Sequence, residues 1–134
     1  MSKHFEQRRA RRNEILNKIA QTSDDALRFS KLIDEYVSQK SPLILLTLID
    51  KYVIECKREY DEAVEELWTR GIGNDKADYY LMLVEARKSL IQNNIGYLLG
   101  RKQELQQQEG DWQTEGTIER LDEITNKLRK IINV

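Results

Sequence analysis

Apolar residues along this chain recur at spacings of three and four, the period of amphipathic helices, and capping residues, glycine and proline divide them into five segments. The best delimited runs from Ser41 to Gly71. Ser41 suits an N-cap, Pro42 suits the first helical position, where no amide proton is needed, and Gly71 supplies a stop. From Leu43 to Ile54 nearly every residue is apolar (Leu43, Ile44, Leu45, Leu46, Leu48, Ile49, Tyr52, Val53, Ile54), so this half is expected to be surrounded on most sides. Beyond Cys56 only the stripe Tyr60, Ala63, Val64, Leu67 and Trp68 stays apolar, with the Trp68 ring expected to close over the following turn. This third helix should begin in a core and end on a surface.

Two helices are expected before it. The first spans about residues 3–20 and has something to bury only in its second half, at Ile15, Leu16 and Ile19. The stretch QTSDD then punctuates, with Thr22 or Ser23 as N-cap and Asp24 and Asp25 favouring the positive end of the next helix dipole. The second helix, to about Lys40, presents Leu27, Phe29, Leu32, Ile33, Tyr36 and Val37 on one face.

After Gly71 the loop GIGND turns the chain, and Asn74 or Asp75 is expected to cap a fourth helix over about residues 76–109. Gly96 and Gly100 interrupt it, each costing about 1 kcal/mol relative to alanine, so a close approach by another helix is the expected reason for them. A polar loop carrying Trp112 follows, and Thr117 is expected to cap a last helix. Its stripe of Ile118, Leu121, Ile124, Leu128, Ile131 and Ile132 lies near heptad spacing but is too short for an independent coiled coil, so it must pack on the body or on a partner. The expected fold is all-α: a four- to five-helix bundle with a long central helical hairpin made by helices three and four. One domain, 1–134, would hold it, with a basic N-terminal segment, 1–13, free to fray.

A length of 134 residues suffices for a core without disulfides or metals, and the lone cysteine, Cys56, cannot pair within the chain, which points to a reducing, cytoplasmic setting. Purely apolar runs such as Leu43 to Leu46 are far too short for a membrane, and MSKHFEQRRARRN lacks the apolar stretch of a secretory signal. Net charge is −1, but residues 1–20 hold six basic residues against two acidic ones, and residues 41–70 hold seven acidic against four basic. The chain has a basic end and an acidic face.

Arg8, Arg9, Arg11 and Arg12 are the strongest candidates for chemistry, crowding round the first helix. Guanidinium forks pair bidentately with phosphates, so the cluster could grip RNA or DNA, or an acidic protein partner. Glu55, Glu59, Glu62 and Glu66 share one helix face, as magnesium ligands would, but a metal-dependent hydrolase needs a second acidic pair, and the fourth helix offers only Asp75, Asp78 and Glu85. With one histidine, His4, and one cysteine, most catalytic schemes lack parts, so no catalytic residue, metal ligand or cofactor is expected. The remaining expectation is a non-catalytic adaptor, assembly factor or subunit, with a second copy of the chain as the simplest partner. Candidate interface residues are Trp112, Tyr79, Ile118, Leu121, Leu128 and Ile132.

Overall fold

The computed structural model describes residues 3–38, 43–71, 77–108 and 111–133. Those residues are all-α, and four helices pack against each other: α1 (Lys3–Ser38), α2 (Leu43–Glu66), α3 (Ala77–Gln106) and α4 (Trp112–Ile132). The Ser41 and Pro42 start signal and the Asn74 or Asp75 cap lie outside the described residues.

The expected first and second helices are one. QTSDD does not break α1, although its residues favour caps over helix interiors. Thr22 turns its hydroxyl back onto the Ile19 carbonyl at 2.7 Å, satisfying locally the group that would otherwise cap a new helix. The larger reason is packing. Ile15, Phe29, Ile33 and Tyr36 are all buried on one continuous side, and breaking the helix at residue 22 would swing one half of that stripe off its neighbours.

Pairings set the directions. Ile15 shares an apolar cluster with Tyr80 and Leu83, and at the other end Asp34 reaches Tyr97 and Arg101, so α1 and α3 run the same way. Arg28 pairs with Glu55 while Ile15 packs with Ala63, so α2 runs opposite to α1. Lys102 meets Asp122 at 2.7 Å and Lys127 meets Asp50, which turns α4 against α3 and lays it beside α2. The core divides accordingly. A large cluster takes side chains from all four helices, among them Phe29, Ile49, Leu98 and Leu128. A smaller one, around Ile15, Ala63, Tyr80, Leu83 and Val84, takes them from α1, α2 and α3, with Leu67 packed against it.

Three expectations fail here for physical reasons. The first half of α2 is not surrounded: Leu45, Ile49, Tyr52 and Val53 are buried, but Leu43, Ile44, Leu48 and Ile54 stay exposed because, among the described residues, no helix covers the outer side of α2. Trp68 does not close over the turn. Leu67–Gly71 forms a single π turn that directs Leu67 and Gly71 inward, where Gly71 lies against Tyr80, and leaves Trp68 67 % exposed. Finally, α4 starts five residues before Thr117. Asp111 is its N-cap, accepting the Thr114 amide at 2.7 Å, and Thr117 instead bonds back to the Gln113 carbonyl. The other end closes at Asn133, in the left-handed conformation that suits a helix C-cap, with its amide donating to the Arg129 carbonyl.

Candidate functional surfaces

A chain of hydrogen bonds inside the molecule ties three helices together. Asn94, buried on α3, donates its amide to the Tyr52 hydroxyl at 3.1 Å, and Tyr52 donates in turn to the Asp25 carbonyl at 2.8 Å. This chain joins α3, α2 and α1. The Arg28 guanidinium lies 4.8 Å above the Tyr52 ring and pairs with Glu55, so the joint is roofed by a cation held in place by a carboxylate. Burial raises the Tyr52 hydroxyl far above its ordinary value and pushes the Cys56 thiol up to about 12. Cys56 is thus a neutral thiol at physiological pH, the opposite of what a nucleophile needs.

The acidic stripe of α2 is largely neutralised by its own chain. Glu55 pairs with Arg28 at 3.2 Å, Glu62 with Arg58 at 3.5 Å, and Glu59 sits 3.9 Å from Arg87, which also donates to the Glu59 carbonyl at 2.6 Å. Among the described residues no group of three or more His, Cys, Asp or Glu could hold a metal ion.

The four arginines lie in the first part of α1, ahead of Ile15, the first buried residue among those of α1 whose side chains are described. Rather than crowding all round the helix, they fall within a sector of about 160° at 100° per residue. Arg8, Arg12, Ile15 and Ile19 follow one another at four, three and four, and Arg11 stands four before Ile15. The inward stripe of α1 therefore changes from apolar to cationic as it passes the end of the packed helices. Arg8, Arg9 and Arg11 are exposed and Arg12 is half-buried. Twelve residues of α1 precede Ile15 while only three of α3 precede Tyr80, so α1 runs past the start of α3 by nine residues, about 13 Å at 1.5 Å per residue.

The proposed partner-facing residues separate into two groups. Leu121 and Leu128 are fully buried, Ile132 nearly so, and Ile118 packs against the same core, so the α4 stripe is used within the chain and is not available to a partner. The cause is the pairing of α4 with α3 and α2, which brings the stripe onto the large cluster. Tyr79 is half-buried against the smaller cluster, while its neighbour Tyr80 is fully buried within it. Trp112, by contrast, is 79 % exposed on the first turn of α4.

Around Trp112 lies a cleft of about 500 Å³ between the ends of all four helices, lined by Tyr36, Leu43, Leu46 and Trp112 together with polar residues such as Gln108 and Arg120. Leu43 is 73 % exposed at its edge, and the adjacent Ile44 79 %. Neither was expected on a surface. The available signal was the surplus of apolar positions in α2, more than three neighbouring helices can cover. An apolar groove, also of about 500 Å³, lies between α1 and α3 near the start of α3, lined by Ile19, Leu81, Met82 and Ala86 with Asp78 and Glu85.

Among the described residues no helix is long and apolar enough to cross a membrane. Neither a protein family, nor a curated protein, nor a solved structure matches this chain.

Proposed function

We propose that the protein is a non-catalytic helical interaction module, an adaptor, assembly factor or small subunit, built as a bundle on the central α2–α3 hairpin and acting in the cytoplasm through protein contacts, most simply with a second copy of itself. The observation that carries this reading is the group of large apolar side chains left in water where the four helices end: Trp112 and Leu43 at the cleft, and Ile44 next to Leu43 in the chain. An exposed tryptophan at the rim of a cleft of mixed polar and apolar lining is the anchor type that dominates binding energy at protein interfaces, and leaving it solvated has no benefit for the folded monomer. The lone cysteine, protonated and buried, suits a reducing compartment.

The test places a photocrosslinking amino acid at Gln113, exposed beside Trp112, in cells that make the protein. Discrete protein adducts that disappear with Ile44→Asp or Trp112→Ala support the reading. A helical, folded protein that yields no protein adduct from this position refutes it.

A second reading, contact with RNA or DNA, draws its support from the exposed arginines at the start of α1. It predicts binding that weakens steeply with salt and is lost when Arg8, Arg9, Arg11 and Arg12 are changed to alanine; binding unaffected by those changes removes it.

A further inference from the structure

The groove between α1 and α3 differs from the Trp112 cleft in its charge. Its apolar members include Leu81 and Met82, both about half exposed, and Leu16 of α1 is exposed one turn before Ile19. Asp78 and Glu85 stand at its edge, both exposed on α3 two turns apart. The edge is therefore acidic and the floor apolar, a surface suited to a helix that offers leucine flanked by cations.

Such a helix exists in the same chain. Arg9, Arg12 and Leu16 follow one another at three and four along α1, so they form one line on its surface, and that line leads directly to the groove. Among the described residues neither Arg9 nor Arg12, and neither Asp78 nor Glu85, makes an ion pair. Cationic line and acid-edged groove sit side by side at the same end of the molecule. Self-complementarity of this kind is what a two-fold axis needs, because the same patch then serves both subunits and each contact is made twice.

We propose that a second copy of this chain docks here, pairing about a two-fold axis near the start of α3. Each copy lays the Arg9–Arg12–Leu16 line of its α1 into the other's groove, with Leu16, Leu81 and Met82 at the centre and the arginines against the partner's Asp78 and Glu85. This names the partner and the contact surface within the interaction-module reading, and rests on that reading. The interface is separate from the Trp112 cleft, which stays open to other proteins in the dimer.

The experiment is sedimentation velocity on nucleic-acid-free protein across a hundredfold range of concentration. Wild type is expected to move from monomer to dimer, and to dissociate more readily as salt rises. Met82→Asp, on an exposed position where folding is not at stake, is expected to weaken association roughly tenfold or more, and so is Arg9→Glu with Arg12→Glu. The decisive sample mixes that double variant with the variant carrying Asp78→Arg and Glu85→Arg. Each alone should be monomeric, and the mixture should dimerise, because opposite charges face each other again at both edges.

A wild type that stays monomeric throughout overturns the proposal, as does a dimer indifferent to Met82→Asp or a mixture that fails to associate. A monomer that instead binds RNA or duplex DNA through Arg9 and Arg12 overturns it in favour of the nucleic-acid reading. None of these outcomes touches crosslinking at Gln113, at the other end of the molecule, so failure of the dimer and failure of the interaction-module reading remain distinguishable.

Discussion

Replacing Gly96 and Gly100 by alanine tests the packing of α3 most directly. A four-residue glycine spacing suggests that another helix passes close by, and a Cβ would then be forbidden. In the structure both glycines are exposed, and a Cβ built at either meets nothing within 4 Å. Only the backbone effect remains. Alanine in place of glycine in a helix interior is favourable by about 0.5–1 kcal/mol, chiefly because it restricts the unfolded chain. The two sites share no partner, so the double variant should gain about 1–2 kcal/mol. At about 2.1 cal/mol/K per residue, a chain of 134 residues unfolds with an entropy near 0.28 kcal/mol/K, so the gain corresponds to roughly 4–7 °C in melting temperature. The assay is thermal unfolding followed by circular dichroism at a concentration where wild type is monomeric. Gly71→Ala supplies the contrast: its Cβ would lie 3.0 Å from Leu67 Cδ1 and 3.5 Å from Tyr80, so Leu67 must shift and the gain should shrink or reverse. If Gly96→Ala or Gly100→Ala lowers the melting temperature of the monomer, the exposed face of α3 is wrongly placed.

Other expectations follow from single contacts. Tyr52→Phe should cost about 1–3 kcal/mol by stranding the Asn94 amide and the Asp25 carbonyl in the interior, and the double change with Asn94→Leu should cost less than the sum of the two, read by urea unfolding. Asp111→Ala should lower the melting temperature by removing the N-cap of α4 while Thr117→Ala lowers it much less; equal effects would restore Thr117 as the cap. Cys56 should resist a thiol reagent at pH 8 until the protein unfolds. Its folded pKa, about 12, lies above its unfolded value, so the protonated thiol contributes stability that is full below about pH 9 and is lost as pH rises toward 12; a Cys56→Ala variant should show a flatter alkaline stability profile. Rapid labelling of the native protein at pH 8 would contradict this burial.

Periodicity at three and four, read with the Gly71 stop, is enough to recognise helices and to identify much of what they bury: Phe29, Ile33, Ile49, Tyr52, Leu121 and Leu128 are all apolar positions legible in the sequence and buried in the structure. It failed where a local signal competes with a distant one. Thr22, Ser23, Asp24 and Asp25 are good caps in isolation, but capping is worth about 1 kcal/mol, and an uninterrupted α1 buries a longer stripe against α3. Thr117 lost its role in a similar way, to an aspartate whose carboxylate reaches the Thr114 amide.

The candidate surfaces were legible only in part. The arginine cluster and Trp112 stand out in any reading of the chain, because charge runs and an isolated tryptophan in a polar stretch need no neighbours to be noticed. Leu43, Ile44, Leu81 and Met82 do not stand out, since a leucine on the solvent side of a helix has the same letter as one in the core.

By itself, then, the amino-acid order determined helix as the secondary structure, the stripes each helix can bury, the basic and acidic ends, and a thiol with no partner within the chain. Tertiary structure alone decided which apolar side of α2 is covered, that the α4 stripe is used within the chain, that Asn94, Tyr52 and Asp25 meet, and that an acid-edged groove adjoins the Arg9–Arg12–Leu16 line. The division has a simple origin. Helix formation depends on residues three and four apart, which the sequence displays, whereas exposure depends on which other helices arrive, and those contacts join residues as far apart as Asp50 and Lys127.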